Sequence, residues 1–354
     1  MLLADLGADV LRIERPAARP PVKIPNDPLE RSRRSVVVDL KSEGGVEIVM
    51  RLVESADVLI EGFRPGVAER IGIGPEACLD RNPRLVYGRM TGWGQDGPLA
   101  QAAGHDPNYV ALTGMLHSIG DNGGPPVMPL NLVGDFGGGG MFLAVGILAA
   151  LVERERSGRG QVVDAAMVDG AAVLGSSFYG LHAAGQWKSD RTNSANGAAH
   201  WAGVYETADG RYVVLAALEP QFYAELLHRL GVDPDTLPPQ HDEAGWPKAR
   251  AIFSEIFLSK TRDEWCEILE GTDSCFAPVL DLDEAPSHPH NVARRSFVEV
   301  GGVVQPAPAP RFSRTPLADP TPPSPPGQGA DDELRSWGVS DADVARLRAA
   351  GAIQ

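Results

Sequence analysis

The first ninety residues predict a parallel α/β fold. Ser35–Leu40 (SVVVDL), Asp57–Gly62 (DVLIEG) and Leu85–Met90 (LVYGRM) are short runs of aliphatic and β-branched residues without polar alternation, as strands buried on both faces require. A helical stretch from about Ser42 to Ser55 separates the first two runs, which gives a βαβ pattern. The chain of 354 residues, 43% of them hydrophobic, has the material for a large buried core and for two domains, and disorder as the dominant state is excluded.

Each element follows from local signals. MLLADLGADVLRIERP reads as the end of a helix (Met1 to Leu6), a Gly7 C-cap and a strand from Asp9 to Glu14, after which comes a polar, proline-bearing loop. From Pro98 to Gly160 the texture changes to glycine-rich loops leading into helices, among them PNYVALTGML and the apolar run Met141 to Val152. That run is about 12 residues long, shorter than the roughly 20 of a membrane span, and predicts a buried helix. HWAGVYETADGRYVVLAAL carries strands at Gly203–Thr207 and Tyr212–Leu218 around an Ala208-Asp209-Gly210 hairpin turn. Helices are expected at Pro220–Leu230, Trp246–Ser259 and Arg262–Glu270, the last opened by a Thr261/Glu264 capping box. The pattern gives a large domain over 1–190, a smaller α+β domain over 200–298, and a returning segment over 299–354. That segment starts with a proline-dense connector (Pro306 to Gly329) and ends in a short helix between Ser340 and Gly351.

With 47 Asp and Glu against 32 Lys and Arg, the net charge of −15 disfavours nucleic-acid and anionic-membrane partners. Cys78, Cys266 and Cys275 form neither a disulfide framework nor a CxxC metal site. With no secretory signal evident at the start, the expectation is a cytoplasmic protein.

The charge is unevenly spread. Residues 1–100 hold 14 Lys and Arg against 15 Asp and Glu, a balance of −1 that leaves −14 for residues 101–354. Arg12, Arg15, Arg31, Arg33, Arg34, Lys41, Arg64 and Arg70 lie beside strand ends and loops, where open α/β sheets bind ligands. Any one of them is ordinarily a solvated surface charge; the clustering marks a site for a phosphate-bearing ligand.

Three segments carry candidate chemistry. In Gly104-His105-Asp106 the histidine adjoins a carboxylate and a helix N-terminus, which favours the neutral imidazole that a general base needs. In Gly134-Asp135-Phe136 followed by Gly137–Gly140, the glycines either present N–H groups to an oxyanion or permit tight helix packing around a capping Asp135. Glu219 ends the strand VVLAAL ahead of Pro220, where an exposed glutamate is the default and a carboxylate projecting into a cleft the alternative. P-loop, dinucleotide, G-x-S-x-G and H-E-x-x-H patterns are absent, so nucleotide, serine-hydrolase and zinc-protease chemistry rank low.

Together GADVLRIERP, RSRRSVVVDLKS, ADVLIEGFRPGVAERIGIG, GRMTGWGQDGP, AGHDPNYVALTG, PLNLVGDFGGGGMFL, GRGQVVDAAMVDG, YETADGRYVVLAALEPQFY and the tail SWGVSDADVARLRAAG resemble the family III CoA-transferase superfamily, specifically its α-methylacyl-CoA racemase branch. The resemblance implies a large domain with an open Rossmann-like sheet, and an interlocked homodimer whose active sites lie between the large domain of one subunit and the small domain of the other. It implies CoA thioester binding at Arg15, Val38, Asp39, Leu40, Lys41, Gly62, Phe63, Arg64 and Arg70, and at Gly104, His105, Asp106, Pro107, Asn108 and Tyr109.

It further implies that His105, oriented by Glu219 of the partner chain, and Asp135 act on opposite faces of the α-carbon. Asn131 and N–H groups of the glycine run would stabilise the enolate, with no metal, pyridoxal phosphate or nicotinamide. The transferase branch uses the matching aspartate as a nucleophile that forms an acyl anhydride, whereas GHDPNY is the racemase form. Two departures set expectations. A strand and glycine loop of the LRVVELAG and GPG type do not precede the first helix, so part of the CoA pocket is expected to be missing and a non-catalytic CoA-thioester-binding homologue is a third reading. NSANGAAHWAGVYET stands where racemases have LDGG before an aromatic pair, so the acyl pocket is expected to differ.

Overall fold

In the computed structural model, which describes residues 1–16 and 24–354, β1 (Leu11–Glu14) runs parallel to β2 (Arg34–Val37), with Leu11 opposite Arg34 and Glu14 opposite Val37. Part of the expected proline-bearing loop, at 17–23, lies outside the described residues. The helix α1 (Glu43–Ser55) begins where the Ser42 hydroxyl accepts the Gly45 N–H, a side-chain cap. β3 (Val58–Glu61), β4 (Val86–Thr91) and β5 (Val162–Ala166) form a second parallel sheet with β4 in the centre.

The parallel strands therefore fall into two sheets where the sequence predicts one open sheet. Alternation explains where the first sheet stops. Arg34 and Val38 donate their N–H groups toward β1, so Val37 and Asp39 face the other edge, where the Gln354 N–H bonds the Val37 carbonyl and the Asp39 N–H bonds the Ala352 carbonyl. The segment 352–354 thus occupies that edge of β2.

Two-sided burial accounts for the aliphatic strand runs. Leu85 and Tyr87 point into a core with Val49 and Val53 of α1, while Val86 points into one with Leu143, Ile147 and Ala150. α1 also serves two cores, because Ile48 and Leu52 pack with Val36, Val38, Leu334 and Leu347.

After α2 (Asp106–Leu112), the largest departure from the sequence reading is at the glycine run. Leu132–Met141 is helical with wide π-type turns and continues into α3 (Phe142–Ser157). The resulting 26-residue helix is long and apolar enough, by length and composition, to cross a membrane. Here Leu143, Ala144, Ile147 and Ala150 face β4 and β5, and the buried Arg154 holds Asp57 at 2.8 Å. The expectation of a buried helix holds for this face alone: Met141, Val145, Leu148 and Val152, spaced four, three and four residues apart, are exposed. α4 (Met167–Leu174) follows β5.

β1–β5, α1, the Leu132–Ser157 helix, the start of α2 and all but the last residue of α4 belong to the first of two compact units, Met1–Tyr109, Leu132–Val173 and His288–Gln354; the second is Val110–Asn131 with Leu174–Ser287. The second unit therefore takes in 110–131 and 174–199 besides most of the 200–298 span. Its β6 (Ala202–Glu206), β7 (Tyr212–Ala216) and β8 (Phe276–Val279) form an antiparallel sheet, with Gly210 at φ 71° in the hairpin turn between β6 and β7. α5 (Pro220–Leu230), α6 (Trp246–Phe257) and α7 (Arg262–Leu269) supply a core rich in aromatic rings, among them Tyr205 stacked on Phe257 at 5.1 Å. The Thr261/Glu264 capping box opens α7 as the spacing predicts.

His200 is fully buried in this core, its Nε2 2.7 Å from the Tyr223 hydroxyl and its Nδ1 without a partner. Burial first, and then the nearby His241, pushes its pKa from 6.5 down to about 4. Between those values the unfolded chain holds a proton that the fold excludes, so stability is full above the upper value and falls as pH drops through the window. The loss by the acid end is on the order of 3 kcal/mol. Denaturant titrations across the window should show that loss in the native protein and a much flatter profile in His200→Asn.

Candidate active site

The site grows from one buried carboxylate. Asp106, 2% exposed, opens α2 and directs a single oxygen, Oδ2, at two backbone N–H groups, Gly134 at 2.6 Å and Asp135 at 2.7 Å. It therefore caps the first turn of the Leu132–Met141 helix, whose N–H groups have no partner within the helix. Gly134 has to be glycine, because a Cβ there would lie 2.6 Å from Asp106 Oδ2. Its neighbour His105 is held by its backbone, which donates to Asn108 Oδ1 at 3.0 Å and accepts from the Asn108 N–H at 2.9 Å. The imidazole is exposed and forms no hydrogen bond or ring contact among the described residues. One carboxylate thus joins the turn that presents His105 to the turn that presents the half-buried Asp135.

Tyr109 lies beneath these turns, edge-on to Trp93 at 4.7 Å, with its hydroxyl donating to the Gly104 carbonyl. A Cβ at Gly92 or Gly104 would fall 2.0 Å or 2.7 Å from its ring, so both glycines make room for it. Burial raises the Tyr109 pKa most, Asp135 raises it further, and Arg64 opposes them. Asp135 and Arg64 are therefore both within electrostatic reach of the phenol, which brings a candidate catalytic group and a candidate phosphate contact together.

The basic cluster divides in two. Arg12 pairs with Glu14 and Glu30, Arg31 with the buried Asp5 at 2.6 Å, and Arg34 with Asp9 and Glu333. Arg33 bonds the Leu29 carbonyl. Arg15, Lys41, Arg64 and Arg70 are exposed and form no ion pair among the described residues. The first three follow the carboxyl ends of β1, β2 and β3, the usual ligand side of parallel strands. Gly62 and Phe63 are exposed beside Arg64.

The loop they occupy is pinned by Glu61, 7% exposed, which accepts the Phe63 N–H at 2.6 Å and Arg89 Nε at 2.9 Å; Arg89 also holds Glu69 at 2.9 Å. Glu61 and Arg89 escape notice in the sequence, since only the β3/β4 register sets them side by side.

Other candidates have structural duties. Val38 is fully buried and Leu40 packs partly buried beside it. Asp39 Oδ1 accepts the Lys41 N–H at 3.0 Å and its carbonyl accepts from Ser42, so this carboxylate shapes the entry to α1. Pro107 occupies the start of α2, and Asn131 is exposed directly before Leu132. The glycine run does not offer a row of free N–H groups. Gly138–Gly140 lie inside the helix; a Cβ on Gly170 would fall 2.0 Å from the Gly138 carbonyl and one on Gly139 would fall 3.0 Å from Met167, so Gly138 and Gly139 serve close packing against α4. Glu219 belongs to the second unit, exposed at the N-cap of α5 and near enough to Cys275 to help raise its thiol pKa, after burial. Among the described residues no three His, Cys, Asp or Glu side chains converge as metal ligands would.

Residues 1–332 match the model of CoA-transferase family III, and the chain belongs to that family. It is 44% identical to α-methylacyl-CoA racemase of Mus musculus and 42% identical to that of Homo sapiens, each alignment covering 98% of this chain and 91% of the relative. The crystal structure of a CAIB/BAIF family protein from Brucella suis superposes with a TM-score of 0.80 at 26% identity, covering 94% of this chain and 93% of that one.

Glu61→Ala would remove the buried carboxylate beside Arg89 and leave this buried guanidinium with only the exposed Glu69 as an ionic partner. Urea unfolding should show a loss of about 3–5 kcal/mol, well beyond that of an exposed pair.

Proposed function

We propose that this chain is a racemase or epimerase that inverts the α-carbon of 2-methyl-branched acyl-CoA thioesters. Kinship with α-methylacyl-CoA racemases supplies the substrate class. The observation that carries the chemistry is the joining of the His105 and Asp135 turns through Asp106. A thioester carbonyl acidifies the adjacent C–H bond. His105, neutral, takes the proton on one face, and the bonding pair moves to the carbonyl oxygen as an enolate. Asp135, protonated, returns a proton to the same carbon on the opposite face as the enolate collapses. The pair then stands with its protonation states exchanged, ready for the reverse reaction. Two side chains complete the inversion, so this reading calls for no metal, pyridoxal phosphate or nicotinamide beyond the CoA moiety of the substrate.

Asn131 is read as a donor to the enolate oxygen, and Arg15, Lys41, Arg64 and Arg70 as the contacts for CoA phosphates. Charge-assisted bonds to phosphate are strong, and these cations have no competing carboxylate among the described residues. Glu219 is read as balancing charge on His105 from a second copy of the chain in a homodimer. The outward row Met141, Val145, Leu148 and Val152 on the Leu132–Ser157 helix supports that assembly, since its spacing is that of a helix seam that packs against another helix. The seating of α3 on β4 and β5 supports reading this helix as a packing element and not a membrane anchor. The thiols of Cys78, Cys266 and Cys275, none in a disulfide, support a cytoplasmic location.

Incubating the protein with one epimer of a 2-methylacyl-CoA in D2O should exchange the α-hydrogen and produce the other epimer without an acceptor acid. Absence of exchange, with CoA passed instead to an added carboxylate, would replace this reading with transfer through an Asp135 anhydride. His105→Ala should lower the exchange rate by roughly 10²–10⁴-fold. Lys41→Ala and Arg64→Ala should each raise KM by roughly five- to tenfold at low ionic strength, with a smaller effect in high salt, as screened phosphate contacts require.

A further inference from the structure

Glu219 is the last residue before α5, at the end of a segment that has left the β6-β7-β8 sheet, and the two residues before it are fixed by one glutamine. The two amide hydrogens of Gln240 reach two successive carbonyls, Ala217 at 3.0 Å and Leu218 at 2.9 Å. The Leu218 carbonyl lies in the same rigid peptide plane as the Glu219 nitrogen, so holding it sets the direction in which the chain enters Glu219. The backbone carbonyl of Gln240 is itself saturated, accepting the indole N–H of Trp201 at 2.9 Å and that of Trp246 at 2.8 Å. Both indoles are core residues, 4% and 7% exposed, and meet edge to face at 6.1 Å. The Ala217 N–H adds a bond to the Trp201 carbonyl at 2.9 Å, and on the helix side the Tyr223 N–H bonds the Glu219 carbonyl at 3.0 Å. Glu219 is thus an exposed side chain on a backbone clamped from both sides.

An exposed glutamate at a helix N-cap needs none of this, and its own side chain makes no cap bond. We infer that Gln240 is a positioning residue that, backed by Trp201 and Trp246, holds Glu219 in the direction its catalytic part requires. The inference rests on the reading of Glu219 given above and adds a residue whose action passes through it. Misplacing a catalytic group by about an ångström can cost roughly a hundredfold in rate. Removing the amide hydrogens should therefore act on turnover, and leave contacts to the CoA moiety, made by the first unit, in place.

The test is a double-mutant cycle with Gln240→Met, which keeps the length of the side chain without its donors, and Glu219→Gln, read by α-hydrogen exchange in D2O. Gln240→Met should lower kcat by roughly 10–100-fold with KM within about threefold, and in the Glu219→Gln background it should have almost no further effect. Amide exchange of the 217–223 peptide should accelerate in Gln240→Met while peptides of α6 and α7 stay protected, which separates a loosened segment from a failed fold. Gln240→Asn, with the amide kept and the reach shortened, should fall between. If Glu219→Gln alone leaves kcat unchanged, the reading of Glu219 fails and the positioning role falls with it. If Glu219→Gln lowers kcat while Gln240→Met does not, or if the two losses multiply, the positioning role alone is overturned.

Discussion

Two hydrogen bonds to a single oxygen of Asp106 tie together the parts of the first unit that matter for chemistry. A carboxylate taken out of water needs donors, and here the donors are the N–H groups that a helix leaves unpaired at its start. Gly134 follows from this contact, because any side chain would occupy the space of the carboxylate. The wide first turns of the long helix then set the register in which Leu143, Ile147 and Ala150 meet β4 and β5. A polar contact at the mouth of the site and an apolar one beneath the sheet are thus two ends of one rigid helix.

Charge in the amino-terminal hundred residues is sorted by competition for carboxylates. Arg12, Arg31 and Arg34 are bound to Glu14, Asp5 and Asp9, and the Arg31 pair is almost wholly removed from solvent. Such cations stabilise the fold and have little attraction left for a ligand. Arg15, Lys41, Arg64 and Arg70 keep theirs, so a chain of net charge −15 retains a local site for a polyanion. Glu61 belongs to both groups in effect, since the carboxylate that neutralises Arg89 also fixes the loop on which Arg64 stands.

The glycine run shows how a local signal misleads. Glycine in a helix interior costs about 1 kcal/mol relative to alanine, so four in succession read as loop. Contact decides otherwise: Gly138 and Gly170 approach so closely that neither tolerates a Cβ, and the packing gained offsets the propensity lost. A run bounded by sequence at Met141 therefore starts nine residues earlier, at Leu132, and exposes a face the composition alone would have buried.

Local residue patterns suffice for the α/β class, the strands around Val36, Ile60 and Val86, the hairpin at Gly210, the Thr261/Glu264 cap, and His105 and Asp135 as candidates for chemistry. All of these are carried by residues within a few positions of one another, where strand pleat, helix turn and capping geometry act. Packing in three dimensions settles that Asp106 braces a helix 28 residues away, that Val38 and Asp39 serve the core and a turn, that Gln240 grips the approach to Glu219, and which arginines among the described residues form no ion pair. Those outcomes depend on which partner reaches a buried polar group or charge first in space, and neither burial nor proximity across the fold has a local period in the sequence.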